Sequence, residues 1–237
     1  MNYFRTPFKR HRDILDGMSA DAMIERTSAI IVLIGAGGLG CAVLPRIVRL
    51  RPARFIIIDG DRVEQRNLDR QPLYADVDIG FPKASTAALW ARQVMPAGSV
   101  AAVDVFLDAN NAYELIAQAD VVVEGVDDPH AKRLVDRVCA ASGVPLVSGG
   151  VHQRQGQVLV LHAPGDRQGL GRDDVFRGVV GAEQDACDMR DVPLGLLEEI
   201  GARMAQRCAD LLFARPVTNG RIELFDGSHW INFAPPA

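Results

Sequence analysis

The sequence predicts an α/β protein built on a doubly wound, mainly parallel sheet that ends in antiparallel strands. Three observations predict it. Short β-branched runs alternate with helical patterns, several of those runs are apolar at every position, and a glycine-rich turn joins the first run to the first helix. Continuously apolar strands are those covered on both faces, and strand–helix alternation is the pattern of a parallel sheet wrapped by helices. With 237 residues, the chain can bury a sizeable core without disulfides. It reads as a single domain over 1–237, with an N-terminal helical arm over 1–28 and a long loop over 164–192.

In order, the arm contains a short helix over about 19–27, with Ser19 as its N-cap. AIIVLI (29–34), RFIIID (54–59), VAAVDV (100–105), DVVVEG (120–125) and PLVSGG (145–150) read as strands. Helical patterns lie between them at 38–51, 83–95, 110–118 and 129–142. GQVLVLHA (156–163) reads as a further strand, antiparallel to its neighbour. Residues 164–192 show no period and are rich in Gly, Asp and Arg; loops of that length tend to be functional or mobile. Leu194, Leu197, Ile200, Met204, Cys208 and Leu211 then recur at helical spacing, and RIELFDG (221–227) closes as the last strand.

Composition narrows the function. Hydrophobic residues make up 48% and charged residues 24%, which excludes a disordered or fibrous chain. Lys and Arg total 26 against 30 Asp and Glu, so a dedicated nucleic-acid binder is not expected, although a local basic pocket is compatible. The four cysteines, Cys41, Cys139, Cys187 and Cys208, form no C-x-x-C pair, so neither a disulfide scaffold nor a paired-cysteine zinc site is expected. Cys41, Cys139 and Cys208 fall on helix faces and read as core. His152 and His162 lack metal-ligand spacing and read as structural. The basic N-terminus has no apolar signal segment, and glycines interrupt the longest apolar stretch. No membrane span is expected, and the expected location is cytoplasmic.

Gly35-Ala36-Gly37-Gly38-Leu39-Gly40 satisfies G-x-G-x-x-G between a buried strand and a helix, the Rossmann-like setting for a phosphate at a helix N-terminus. Asp59, at the end of the second strand, suits ribose hydroxyls. To this point a nicotinamide-dependent dehydrogenase fits. The next residues fit it less well: Asp59-x-Asp61, then Asn67-Leu68-x-Arg70-Gln71, then Lys83. Taken singly, each reads as a solvated surface residue. Together, an amide, a guanidinium fork and a lysine suit a triphosphate.

In these motifs the chain resembles the ThiF/MoeB/HesA family, bacterial relatives of ubiquitin-activating enzymes, from about Arg12 to Phe225. The resemblance implies adenylation, with MgATP, of a C-terminal carboxylate, commonly the Gly-Gly end of a small ubiquitin-like protein, on the way to sulfur transfer or conjugation. It implies a nucleotide site of Gly35, Gly37, Gly38, Gly40, Asp59, Asp61, Asn67, Arg70, Gln71 and Lys83, with Gly38 beside the nucleotide and Asp59 on its ribose. Arg70 and Lys83 would serve the triphosphate, Gln71 the adenylate, and Asp127 the magnesium. Asp128 departs from the family's Asn; it is either a helix N-cap before Pro129 or a change in metal or substrate binding. Arg12 resembles an arginine that reaches into a partner protomer, which implies a homodimer; its other reading is a surface arginine. Residues 164–192 would form the crossover loop over the substrate tail. Cys187 stands where ThiF has a cysteine that can bond to its carrier; here it is either a nucleophile or a bystander. The family's zinc-binding cysteine pairs are missing, so no zinc is expected, and packing alone would hold the C-terminal region. The expected partner is a small ubiquitin-like protein or a peptide with a free C-terminus. Activation of a peptide, another carboxylate or a tRNA substrate, a family member turned to binding only, or a dehydrogenase are the competing functions; a dehydrogenase leaves Asn67, Arg70 and Lys83 unexplained.

Overall fold

A computed structural model describes residues 27–96, 99–165, 169–177 and 192–234. β1 (Thr27–Ile34) lies between β2 (Pro52–Ile58) and β4 (Val121–Glu124), parallel to both. β3 (Val100–Val103) adds beside β2, and β5 (Leu146–His152) beside β4. β6 (Gln155–Leu161), β7 (Ile222–Phe225) and β8 (Trp230–Phe233) follow as antiparallel strands. The sheet has eight strands in the order β3-β2-β1-β4-β5-β6-β7-β8.

Strand periodicity explains the two cores. Ile31, Leu33, Phe55, Ile57, Val121 and Val123 face α1 (Gly38–Ile47), α2 (Lys83–Ala91) and α6 (Leu194–Leu212). The alternating residues Val32, Ile34, Ile56, Ile58 and Val122 face α3 (Ala112–Ile116) and α4 (Pro129–Ser142). A strand turns successive side chains to opposite faces, so strands apolar throughout can serve both layers. α1 approaches α6 closely because Gly201 lacks a side chain: a Cβ there would lie 2.6 Å from the Ala42 Cβ.

The expected helices at 129–142 and 194–212 match α4 and α6. Asp128 caps α4, its carboxylate accepting the His130 and Ala131 amides at 3.1 and 3.0 Å, and Gly143 ends it with φ 68°. Among the two readings of Asp128, the N-cap is the one the geometry shows. α1 gives way to a 3-10 turn over Val48–Leu50, and α2 and α3 are shorter than their sequence patterns.

Several expectations change. β1 already begins at Thr27, inside the proposed arm. The 164–192 loop contains a short helix, α5 (Arg172–Val175). RIELFDG is not the last strand, because the chain turns at Asp226–His229 and returns as β8. Nor does packing alone hold the C-terminal region. Arg203 and Arg207 of α6 both pair with Glu223 of β7, the Arg203 guanidinium lies 4.0 Å from the Trp230 ring centre, and the Trp230 Nε1–H donates to Glu199 at 2.7 Å. Cys41, Cys139 and Cys208 are buried, as expected of core residues. Residues 19–26 of the expected arm helix, Arg12 and Cys187 lie outside the described residues, and Thr27, its expected last residue, opens β1. No helix among the described residues is long and apolar enough to cross a membrane.

Candidate functional site

β1, β2 and β4 end level with one another: Ile34 pairs with Ile58 on one side and with Glu124 on the other. The chain leaves β2 toward β3 on one flank and leaves β4 toward β5 on the other. The crevice beyond the β1 and β4 ends is therefore the switch point, where open α/β sheets bind ligands.

The glycine loop fills this crevice. Gly35 has φ +90°, and a Cβ on it would sit 2.9 Å from Val126 Cγ1 in the turn after β4. A Cβ on Gly40 would lie 2.1 Å from the Gly35 carbonyl oxygen, so these two glycines are needed by the turn itself. Around Gly37 there is more room, the nearest atom to such a Cβ being Gln71 Nε2 at 3.8 Å. Gly38 also sets the helix packing, since a Cβ there would be 3.0 Å from Leu197 Cδ1. The first turn of α1 carries neither an acidic residue nor a side-chain cap, which leaves its amides and its positive dipole end for an anion.

Asp59 ties the first two strand ends together. Its Oδ2 accepts the Ala36 amide at 2.6 Å and its Oδ1 the Asp61 amide at 2.7 Å. Burial raises its pKa above the ordinary carboxyl value, against the opposing pull of those amides and of Lys83. Each oxygen keeps a second acceptor direction, the one a ribose hydroxyl would use. Lys83 is the first residue of α2 and is only 5% exposed; its Nζ lies 3.0 Å from Asp61 Oδ2.

The 65–74 segment brings the rest. A 3-10 turn over Gln65–Asn67 buries Asn67, whose Oδ1 accepts from Arg70 at 2.7 Å. Arg70 is held at its other end by the Arg66 carbonyl at 3.2 Å. Gln71 is buried, and its Oε1 has no hydrogen-bond partner among the described residues. A buried, unsatisfied acceptor beside the glycine loop is a costly feature in an empty site and a useful one in a filled site. The geometry thus joins Gly35–Gly40, Asp59, Asp61, Asn67, Arg70, Gln71 and Lys83 in one cluster.

Asp127 lies exposed in the turn next to Val126 and makes no hydrogen bond or ion pair among the described residues. No group of three metal-ligating side chains occurs among them either. Magnesium commonly takes one or two carboxylates and draws its remaining ligands from phosphates and water. A free Asp127 fits an ion held chiefly by a nucleotide.

Two groups escape the sequence reading. Tyr74 is buried; its hydroxyl donates to the Ala36 carbonyl at 2.7 Å and lies 3.3 Å from the Lys83 carbonyl oxygen, bracing the glycine loop against α2. Glu124, at the end of β4, is fully buried beside Lys132. The signals were an aromatic in an otherwise polar segment and an acid closing an apolar strand.

The ThiF family profile matches residues 9–230. The chain is 34% identical over 154 residues to a SAMP-activating enzyme E1 of Haloferax volcanii, covering 65% of this chain and 57% of that protein. It is 37% identical over 155 residues to a sulfur carrier protein adenylyltransferase of Thermus thermophilus, again 65% of this chain and 57% of the relative, so it spans little more than half the length of either. To the molybdopterin-synthase adenylyltransferase of Escherichia coli it is 27% identical over 215 residues, 90% of this chain and 85% of the relative. The crystal structure of E. coli MccB shares the fold, with TM-score 0.74 at 18% identity over 88% of this chain and 63% of that one. The structure of PaaA does likewise, with TM-score 0.71 at 18% identity over 92% and 67%. With a family match running nearly end to end and a mainly parallel sheet that carries the expected glycine loop, this chain belongs to the ThiF family.

Proposed function

We propose that this protein adenylates the C-terminal carboxylate of a small ubiquitin-like protein ending in Gly-Gly, using MgATP and releasing pyrophosphate, for sulfur transfer or conjugation. The observation that carries the reading is the set around the glycine loop: buried Asn67, Gln71 and Lys83 with part-buried Arg70, in which Arg70 is already bonded to Asn67 and Lys83 to Asp61. A dinucleotide needs the loop and the acid but not this set. The names of the SAMP-activating and sulfur carrier relatives support the substrate class.

In this reaction a carboxylate oxygen bonds to the α-phosphorus of ATP, and the bond from that phosphorus to the α,β-bridging oxygen breaks. Its electron pair leaves with pyrophosphate. A C-terminal carboxylate is already ionised at neutral pH, so no general base is needed. The obstacle is repulsion between two anions. Lys83 and Arg70 offset it from fixed positions, and the amides of the α1 N-terminus add oriented donors. When bound, Mg2+ would neutralise phosphate charge, with Asp127 holding it. Arg12 is proposed to reach the site from a second protomer of a homodimer. Cys187 is proposed to be a bystander, with the adenylate passing straight to an external nucleophile.

Pyrophosphate–ATP exchange tests the reading. Exchange should appear only when a Gly-Gly-ending small protein is added. Tight NAD binding with no response to ATP would overturn it. Cys187→Ala should turn over normally; an adduct mapped to Cys187, lost together with turnover in that variant, would make the cysteine a nucleophile.

A further inference from the structure

The turn after β4 carries Asp127 and presses Val126 against Gly35, yet neither residue fixes that turn. Glu124 does. Its Oε1 accepts the Val126 amide at 2.8 Å, bending the chain back over the strand end. The same oxygen accepts from Lys132 Nζ at 2.7 Å, and Lys132 also donates to the Gly149 carbonyl of β5 at 2.7 Å. Glu124 Oε2 accepts from the Ser148 hydroxyl at 2.6 Å, which in turn accepts from Arg172 at 3.0 Å. Three segments therefore meet on one carboxylate, the β4 turn, α4 and β5, and α5 joins them through Ser148. Glu124 is fully buried and the Lys132 side chain only 14% exposed.

Such a pair is an expensive way to hold two elements together. Desolvation can cancel the attraction of a buried ion pair, and apolar residues of similar volume often do as well or better. Burial lowers the Lys132 pKa, against the attraction of Glu124. What an apolar pair could not do is accept the Val126 amide while tying it to α4 and β5. We infer that Glu124 and Lys132 are positioning residues that set the Gly125–Asp127 turn, and through it Asp127 and the Gly35 contact, for the nucleotide. The inference rests on the proposed nucleotide site, and its test separates the two.

In the full-length protein, Lys132→Met leaves the buried Glu124 carboxylate without its ionic partner and unties it from α4. Glu124→Leu/Lys132→Met removes charge and acceptor together, so the core stays folded even if the single variant fails. Lys132→Arg is the conservative control. Amide hydrogen exchange at Val126, measured against Val122 and Val123 in the same strand, reads the turn directly. MgATP affinity by calorimetry reads its consequence. Relative to wild type, both Met variants should raise Val126 exchange about tenfold or more and weaken MgATP about tenfold, with Lys132→Arg back within about threefold. Unchanged Val126 protection in the double variant overturns the proposal. So does a loosened Val126 with MgATP affinity unchanged, because the pair is then only a structural tie. If the wild-type protein binds no MgATP, the nucleotide reading fails by itself, and Val126 exchange alone decides whether the pair positions the turn.

Discussion

Lys83 is held before any ligand arrives. Its ammonium rests on Asp61, a half-exposed carboxylate, and the Lys83 amide donates to the Asp61 carbonyl at 2.9 Å. A bound triphosphate would compete for a lysine already desolvated and oriented, which is the preorganisation that electrostatic catalysis needs. Lys83→Ala and Asp127→Ala should each cut pyrophosphate exchange about a hundredfold or more while leaving the circular dichroism spectrum unchanged. Exchange near wild type in both variants would mean that the motif serves something else. Gly40→Ala is a different kind of change. Its Cβ would collide with a backbone oxygen and not with a flexible side chain, so stability should fall by about 1–3 kcal/mol in a urea melt. The polar residues of the cluster were legible because their spacing is rigid in sequence. Tyr74 and Glu124 were not, because neither belongs to a spaced motif and only the fold brings each to its partners, Tyr74 to the Ala36 carbonyl and Glu124 to the Val126 amide, Lys132 and Ser148 together.

At the scale of elements, Asp128 separates capping from chemistry. Its carboxylate accepts two α4 amides, so Asp128→Ala should cost about 1 kcal/mol of stability, with Asp128→Ser recovering most of it. Exchange activity should stay near wild type in both; a large loss in the Ser variant would return Asp128 to the metal or the substrate. The tie between α6 and β7 should be acid-sensitive. Burial raises the Glu223 pKa, but bonds from Arg207 and Arg203 outweigh it and hold the carboxyl below its ordinary value of 4.5. A depressed carboxyl stabilises the fold above its unfolded pKa, and that contribution is lost as pH falls through the lower folded value. Thermal midpoints of wild type should therefore drop faster than those of Glu223→Gln as pH falls below about 4.5. The helices α4 and α6 were legible to the residue because one has a cap, a proline at its start and a glycine at its end, and the other a long apolar stripe. β8 was not. Ile231 and Phe233 are exposed at the sheet edge, so WINF shows no in–out alternation. The available signal was the turn, where Asp226 accepts the Ser228 and His229 amides and Gly227 takes φ +103°.

For the whole molecule, the proposed homodimer makes a prediction that no single-chain property can imitate. Arg12→Ala and Lys83→Ala proteins, each nearly inactive alone, should regain exchange when their subunits are mixed. A heterodimer then holds one site with both residues native. No recovery despite proven subunit exchange would place Arg12 in its own subunit's site or outside the chemistry. The doubly wound, mainly parallel class was legible because the parallel strands are short, apolar and separated by helical patterns; the strand order and its switch point come from the structure. How the outer antiparallel strands are tied to α6 was not, because that depends on Arg203, Arg207 and Glu223 meeting across the fold.

The division of the sheet also bears on how such a protein can be altered. Every residue of the candidate nucleotide cluster precedes Asp128, and the antiparallel hairpins of β5–β6 and β7–β8 come after it. Variation in the second half can accumulate without disturbing the first only where it spares the joins between them: Leu197 and Gly201 of α6 against Gly38 and Ala42, and Ser148 and Gly149 beside Glu124 and Lys132. A lineage, or an engineer, could in this way remodel the second half over a constant candidate nucleotide cluster, and those contacts mark the seam along which two such halves must be joined.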